Sequence, residues 1–79
     1  MTTSYFTITD EITGTTVPRV ASHNIAETLH PWFAEMTAAD APEAREVAQA
    51  IQDLEAAISA RRPSEGLEAY LAVTVRPTS

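Results

Sequence analysis

Residues 40–58 read DAPEAREVAQAIQDLEAAI, and this stretch decides the fold class. Asp40 supplies a capping side chain ahead of Pro42, whose missing N–H is harmless in a first turn, and Glu43 returns the reciprocal acid of a capping box. Val47, Ile51, Leu54 and Ile58 then recur at i, i+4, i+7 and i+11, one apolar stripe of a helix. Written as heptads, Ala44, Ile51 and Ile58 take one seam position and Val47 and Leu54 the other. Ala50 and Ala57 flank that seam and are small enough to let another element approach closely. Arg61 and Arg62 suit the negative carboxyl end of the helix dipole, and Pro63 and Gly66 mark its stop. The stripe needs a cover, either this chain's own sheet or a second subunit, and the sequence leaves that choice open.

Upstream, Asn24 and Glu27 have capping-box spacing, and Ile25, Leu29, Trp32 and Met36 form a second helical stripe over about residues 24–36. Pro31 removes a backbone donor there and biases His30 away from helical geometry, so this helix is expected to be kinked or split into short turns, with the stripe kept either way. Residues 4–10 alternate Phe6 and Ile8 with Tyr5, Thr7 and Thr9, the period of a half-buried strand. Gly14 comes next as a hairpin closer, and residues 15–20 form the returning strand. Pro18 cannot join a ladder through its nitrogen, which places that strand at a sheet edge with Pro18 facing outward. Downstream, residues 67–76 alternate Leu67, Ala69, Leu71, Val73 and Val75 against Glu68, Tyr70, Ala72, Thr74 and Arg76, and Pro77 ends the run. The resulting expectation is an α+β domain of order ββααβ, a three-stranded, mainly antiparallel sheet with two helices packed on one face.

The 79 residues and 8.5 kDa allow a single small domain over residues 1–79. Alanine accounts for fourteen residues and larger apolar side chains for twenty-one, so the core is thin. Without cysteine there is no disulfide to reinforce it, and a homodimer is expected to help. Cysteine's absence also excludes thiolate metal sites and thiol nucleophiles. No apolar run reaches the ~18 residues of a membrane span, and the first residues lack the basic and apolar stretches of a secretion signal, so a cytoplasmic protein is expected. A net charge of −6 disfavours direct binding to nucleic acid or anionic membranes and makes a basic protein partner the complementary choice.

His23, Glu27 and His30 share a helix face, with Glu-x-x-His spacing at the last two, but a metal site needs further ligands from facing elements. His23 and His30 would also be separated by about 10 Å of helical rise, so the set reads as a solvated face and no metal or cofactor is expected. Asp10 and Glu11 read as hairpin-solubilising acids. Neither the serines nor the two glycines have the context of a nucleophile or a phosphate loop, so no enzyme activity is expected. The remaining candidates are binding residues. Tyr5, Thr7, Thr9, Tyr70 and Thr74 are assigned to the uncovered sheet face, where Tyr and Thr tolerate both water and a partner. Phe33 lies beside the Pro31 break, either at the core edge or as an exposed anchor. The predicted function is therefore a small acidic protein-binding module acting as an adaptor, inhibitor or regulator. The alternative is an anionic mimic of the kind phages and mobile elements encode, or an antitoxin-like inhibitor, blocking a nucleic-acid-binding protein with carboxylates spaced like phosphates.

Overall fold

A computed structural model describes residues 4–38 and 42–78 of the chain. The expected helix cap at Asp40, with Ala41, lies outside these residues, as does the segment Met1–Thr3. The elements in order are β1 (Tyr5–Asp10), β2 (Thr16–Ala21), a 3-10 turn (Ser22–Asn24), α1 (Ile25–Leu29), a second 3-10 turn (His30–Phe33), α2 (Ala34–Ala38), α3 (Pro42–Ser59), α4 (Glu65–Leu71) and β3 (Val73–Pro77). The strands form one antiparallel sheet in the order β2-β1-β3. The α+β class and the three-stranded sheet agree with the sequence reading, and β2 is an edge strand as Pro18 requires. The element order is richer than ββααβ.

The hairpin turns on Asp10, whose Oδ1 accepts the N–H groups of Ile12 (2.9 Å) and Thr13 (3.4 Å), while Gly14 takes a positive φ of 79°. This is an Asx-type turn, so Asp10 shapes the backbone rather than merely solubilising it. On β1, Ile8 is fully buried and Phe6 half-buried, and both belong to a core with Val20 and Val73 of the flanking strands. The α3 seam joins the same core, with Val47, Ala50, Ile51 and Leu54 all buried. Thus the seam is consumed inside the chain, which removes one of the two arguments for a dimer.

Two expected elements differ. The segment 24–36 is split at Pro31, as expected, but its stripe is not kept: α1 carries buried Ile25 and Leu29, and the chain then tightens into the 3-10 turn containing Pro31. Four 3-10 residues at about 120° each, rather than 100°, rotate α2 by about 80° relative to a continuous helix. Met36 consequently leaves the stripe and is 52 % exposed. The Asn24–Glu27 capping box does not form either. Asn24 makes no side-chain cap, and the Ala26 N–H donates instead to Glu55 Oε1 of α3 at 3.1 Å.

The larger correction concerns residues 67–76. Their first half is helix α4, because Leu67 and Leu71 also satisfy helical i, i+4 spacing and both face the core. Ser64 precedes α4, and its hydroxyl donates to Glu68 Oε2 at 2.7 Å. Ala72, at a left-handed φ of 56°, then ends the helix and turns the chain into β3. Gly66 lies inside α4 and does not mark the stop of α3. That stop is a Schellman motif: Arg61 has φ 57°, its N–H donates to the Ile58 carbonyl (3.1 Å), and the Arg62 N–H donates to the Ala57 carbonyl (2.7 Å). Among the described residues, no helix is long and apolar enough to cross a membrane.

Candidate functional site

Strand pleating puts Tyr5, Thr7 and Thr9 on the side of β1 opposite Phe6 and Ile8. Residues directly opposite in a ladder share a face, so the register extends this outer face onto both neighbouring strands. Thr9 pairs with Thr16 of β2 and Thr74 of β3, and Thr7 pairs with Arg76. Hydroxyls cross-link these strands: Thr9 to Thr16 at 3.3 Å, Thr7 to Thr78 at 2.8 Å, and Thr74 donating to Glu11 Oε1 at 2.7 Å. Threonine suits such a face because its branched Cβ stiffens the strand while its hydroxyl bonds sideways. Tyr5 stands at one end, 40 % exposed, with the Arg19 guanidinium carbon 5.4 Å from its ring centroid. That distance is within cation–π range.

Arg19 reaches Tyr5 because β2 is irregular. Phe6 pairs with Val20 but Ile8 with Val17, so Pro18 and Arg19 together oppose the single residue Thr7. This bulge leaves Arg19 at a left-handed φ of 58°.

Both edges of the sheet carry features that discourage an added strand. In β3, Thr78 N–H bonds inward to the Tyr5 carbonyl and Ala72 carbonyl accepts from Glu11 N–H, so Val73, Val75 and Pro77 alternate outward. The Val75 N–H is taken by Glu68 Oε1 at 2.9 Å, and Pro77 has no N–H. On β2 the outward-facing part of the edge includes Pro18 and the bulge beside it. Proline and bulges are common means of blunting edges. Peptide capture by strand addition, one way an edge could have served, is disfavoured at each.

Of the sequence-assigned residues, the structure brings Tyr5, Thr7, Thr9 and Thr74 together. Tyr70 is not with them: it lies on α4, 54 % exposed, beside a groove lined by Arg45, Gln49 and Asp53 of α3. Its assignment to the sheet fails because the alternation over residues 67–72 is coiled into a helix. Phe33 is half-buried and packs against the core from the 3-10 turn. Thr16, Arg19, Arg76 and Thr78 complete the outer face and were not singled out from sequence. Neither was Ile12, 80 % exposed at the hairpin tip. Period-two counting from Thr74 could have found Arg76 and Thr78; nothing in the sequence marks the Arg19 bulge.

His23, Glu27 and His30 line one shallow depression together with Glu55, whose Oε1 is engaged by Ala26. Among the described residues, no group of three or more His, Cys, Asp or Glu side chains could hold a metal ion. Several carboxylates have structural employment: Asp10 in the turn, Glu11 with Thr74, Asp53 with Gln49 at 2.9 Å, Glu55 at α1 and Glu68 at β3. No known family model, curated protein or solved structure matches the chain.

Proposed function

We propose that this chain is a small, non-catalytic protein-binding module, acting as an adaptor, inhibitor or regulator, and that it docks through the outer face of its sheet. The helices cover the Ile8 side and leave the Tyr5–Thr7–Thr9 side for a partner. The observation that carries this reading is the cross-strand hydroxyl bonding of that face: it presents a pre-organised surface whose side chains need little further ordering on contact. With strand addition disfavoured at both edges, the side chains of the outer face are the surface this sheet offers another protein.

Local charge refines the choice of partner. Although the chain carries −6 overall, the outer face and its end at Tyr5 carry two arginines, Arg19 and Arg76, against the one carboxylate of Glu11 that Thr74 holds at the hairpin end. A partner for this face presents carboxylates and hydroxyls, whereas a basic partner would have to meet the acidic helices. The mimicry alternative is weakened by the carboxylates committed to the fold, since a phosphate mimic needs its acids free and aligned. The α3 seam is occupied and is not available to a second copy, whereas the outer face is open to one.

The test compares capture of partners from host lysate by the tagged chain and by Tyr5→Ala, Arg76→Glu and Glu46→Gln variants. One stoichiometric protein lost with Tyr5→Ala and Arg76→Glu, and kept with Glu46→Gln, is the expected result. Retention by both face variants with loss on Glu46→Gln would transfer the function to the acidic helices and support the mimic.

A further inference from the structure

The three residues other than glycine that adopt positive φ are Arg19, Arg61 and Ala72 among the described residues. Glycine is the residue such positions favour, because it has no Cβ to crowd the backbone. Two of the three are arginines: Arg19 lies over the Tyr5 ring, and Arg61 lines a cleft that Tyr5 also helps to line. Residues held in sparsely populated backbone regions cluster where function needs a side chain that the local backbone would not choose.

That cleft lies between the end of the sheet and the end of α3, with a volume of about 600 Å³, within the range of small-ligand sites. Phe6, Ile58 and Val75 give it an apolar wall, and Arg61 and Arg62 a cationic rim. Both arginines belong to the Schellman motif, which fixes their backbone by two hydrogen bonds. The C-terminus of a helix carries about half a negative charge, which opposes anions, but two guanidiniums outweigh it, and the motif satisfies the Ala57 and Ile58 carbonyls. Glu68, outside the lining, accepts from the Ser64 hydroxyl and the Val75 N–H, and the two guanidiniums outnumber its negative charge. In a chain of net charge −6, this pairing of apolar wall and arginine rim is a local exception to the acidic surface.

We propose that the cleft binds a small carboxylate with an apolar body, the carboxylate held by Arg61 and Arg62 and the body lying on Phe6, Ile58 and Val75. A planar guanidinium matches a carboxylate in two parallel hydrogen bonds, which a neutral group cannot reproduce. This site shares only Tyr5 and Thr78 with the proposed docking face, and it does not depend on that reading.

The experiment is amide NMR titration of the full chain with 3-phenylpropionate, with its neutral amide, and with inorganic phosphate. The expected result is saturable shifts at Phe6, Arg61, Arg62 and Val75 with the carboxylate, and far weaker ones with the other two probes. Arg62→Gln should weaken binding about tenfold or more. Arg61→Gly should weaken it similarly while leaving the melting temperature unchanged or higher, since glycine relieves the left-handed backbone. Ala72→Gly, the same relief at the third position, should leave binding intact. Absence of saturable shifts at millimolar carboxylate would overturn the proposal, as would equal binding of the amide or of phosphate, or full affinity in Arg61→Gly and Arg62→Gln.

Discussion

The segment Ile25–Ala38 and helix α3 begin from the same apolar spacing, i, i+4, i+7, i+11, and end as different structures. In α3 the spacing runs through 18 residues and buries Val47, Ile51 and Leu54. In the other segment it is cut after Leu29, and the last member of its stripe, Met36, faces solvent. A stripe specifies what would be buried if the helix continued; whether it continues is a matter of backbone donors. Pro31 has none, so the Glu27 carbonyl loses its i+4 partner and the chain closes into the tighter turn. The two segments nevertheless share one core, and Glu55 of α3 even supplies the cap that α1 lacks.

The strongest way to break this comparison is at the shared core. Leu54 and Leu29 are both fully buried, one in the continuous helix and one in the interrupted segment. Leu54→Ala and Leu29→Ala are each expected to cost about 2–5 kcal/mol, the transfer loss plus a cavity. For a domain this small, that is enough to unfold much of the population at room temperature. Urea melts followed by Trp32 fluorescence measure both. If Leu29→Ala were nearly neutral, the interrupted segment would be an appendage and not part of the core.

The Glu55 cap comes next in size. Glu55→Ala removes the acceptor of Ala26 N–H and is expected to cost about 1 kcal/mol, as loss of an N-cap does. Glu55→Gln keeps an acceptor oxygen and should recover most of that loss, whereas equal destabilisation by both would mean the negative charge matters more than the hydrogen bond. Pro31→Ala is expected to change stability by under about 1 kcal/mol while joining α1 to α2. The readout is stronger far-ultraviolet helix signal together with a changed near-ultraviolet signal from Trp32. An unchanged spectrum would assign the break to the packing of Trp32 and Phe33 instead of to proline.

How far the molecule was readable from sequence obeys the same logic of pattern against backbone. The hairpin, the edge position of β2 and the buried stripe of α3 were legible because in each the side-chain period is unambiguous and a nearby Gly or Pro agrees with it, although the Gly66 stop assigned to α3 belongs to the next helix. Residues 67–71 were not, since Leu67, Ala69 and Leu71 alternate like a strand while Leu67 and Leu71 also fit a helix. What decides is Ala72 in a left-handed conformation, and alanine carries no sign of that. The outer face divides likewise. Tyr5, Thr7, Thr9 and Thr74 are given by period two, Tyr70 fell with the misread helix, and Arg19 depends on a bulge that needs the Phe6–Val20 and Ile8–Val17 pairings to be seen. The arginine-rimmed cleft joins residues more than fifty positions apart, so no local pattern contains it.

The smallest expected effect is at Met36, and it sharpens the comparison because the sequence stripe and the structure disagree there outright. A continuous helix over residues 24–36 would place Met36 below Trp32 and Leu29, where Met36→Gln would bury an amide and cost several times more than a surface change. The 3-10 turn rotates Met36 to a position 52 % exposed, so the substitution should stay within about 0.5 kcal/mol of the parent chain. Combining it with Pro31→Ala tests the rotation itself. If removing the proline restores the helical phase, Met36 turns toward the core, and Met36→Gln should become clearly more destabilising in that background than alone. A coupling near zero between the two substitutions would show that Pro31→Ala leaves the turn intact, and that tertiary packing, not the missing donor, fixes the phase of α2.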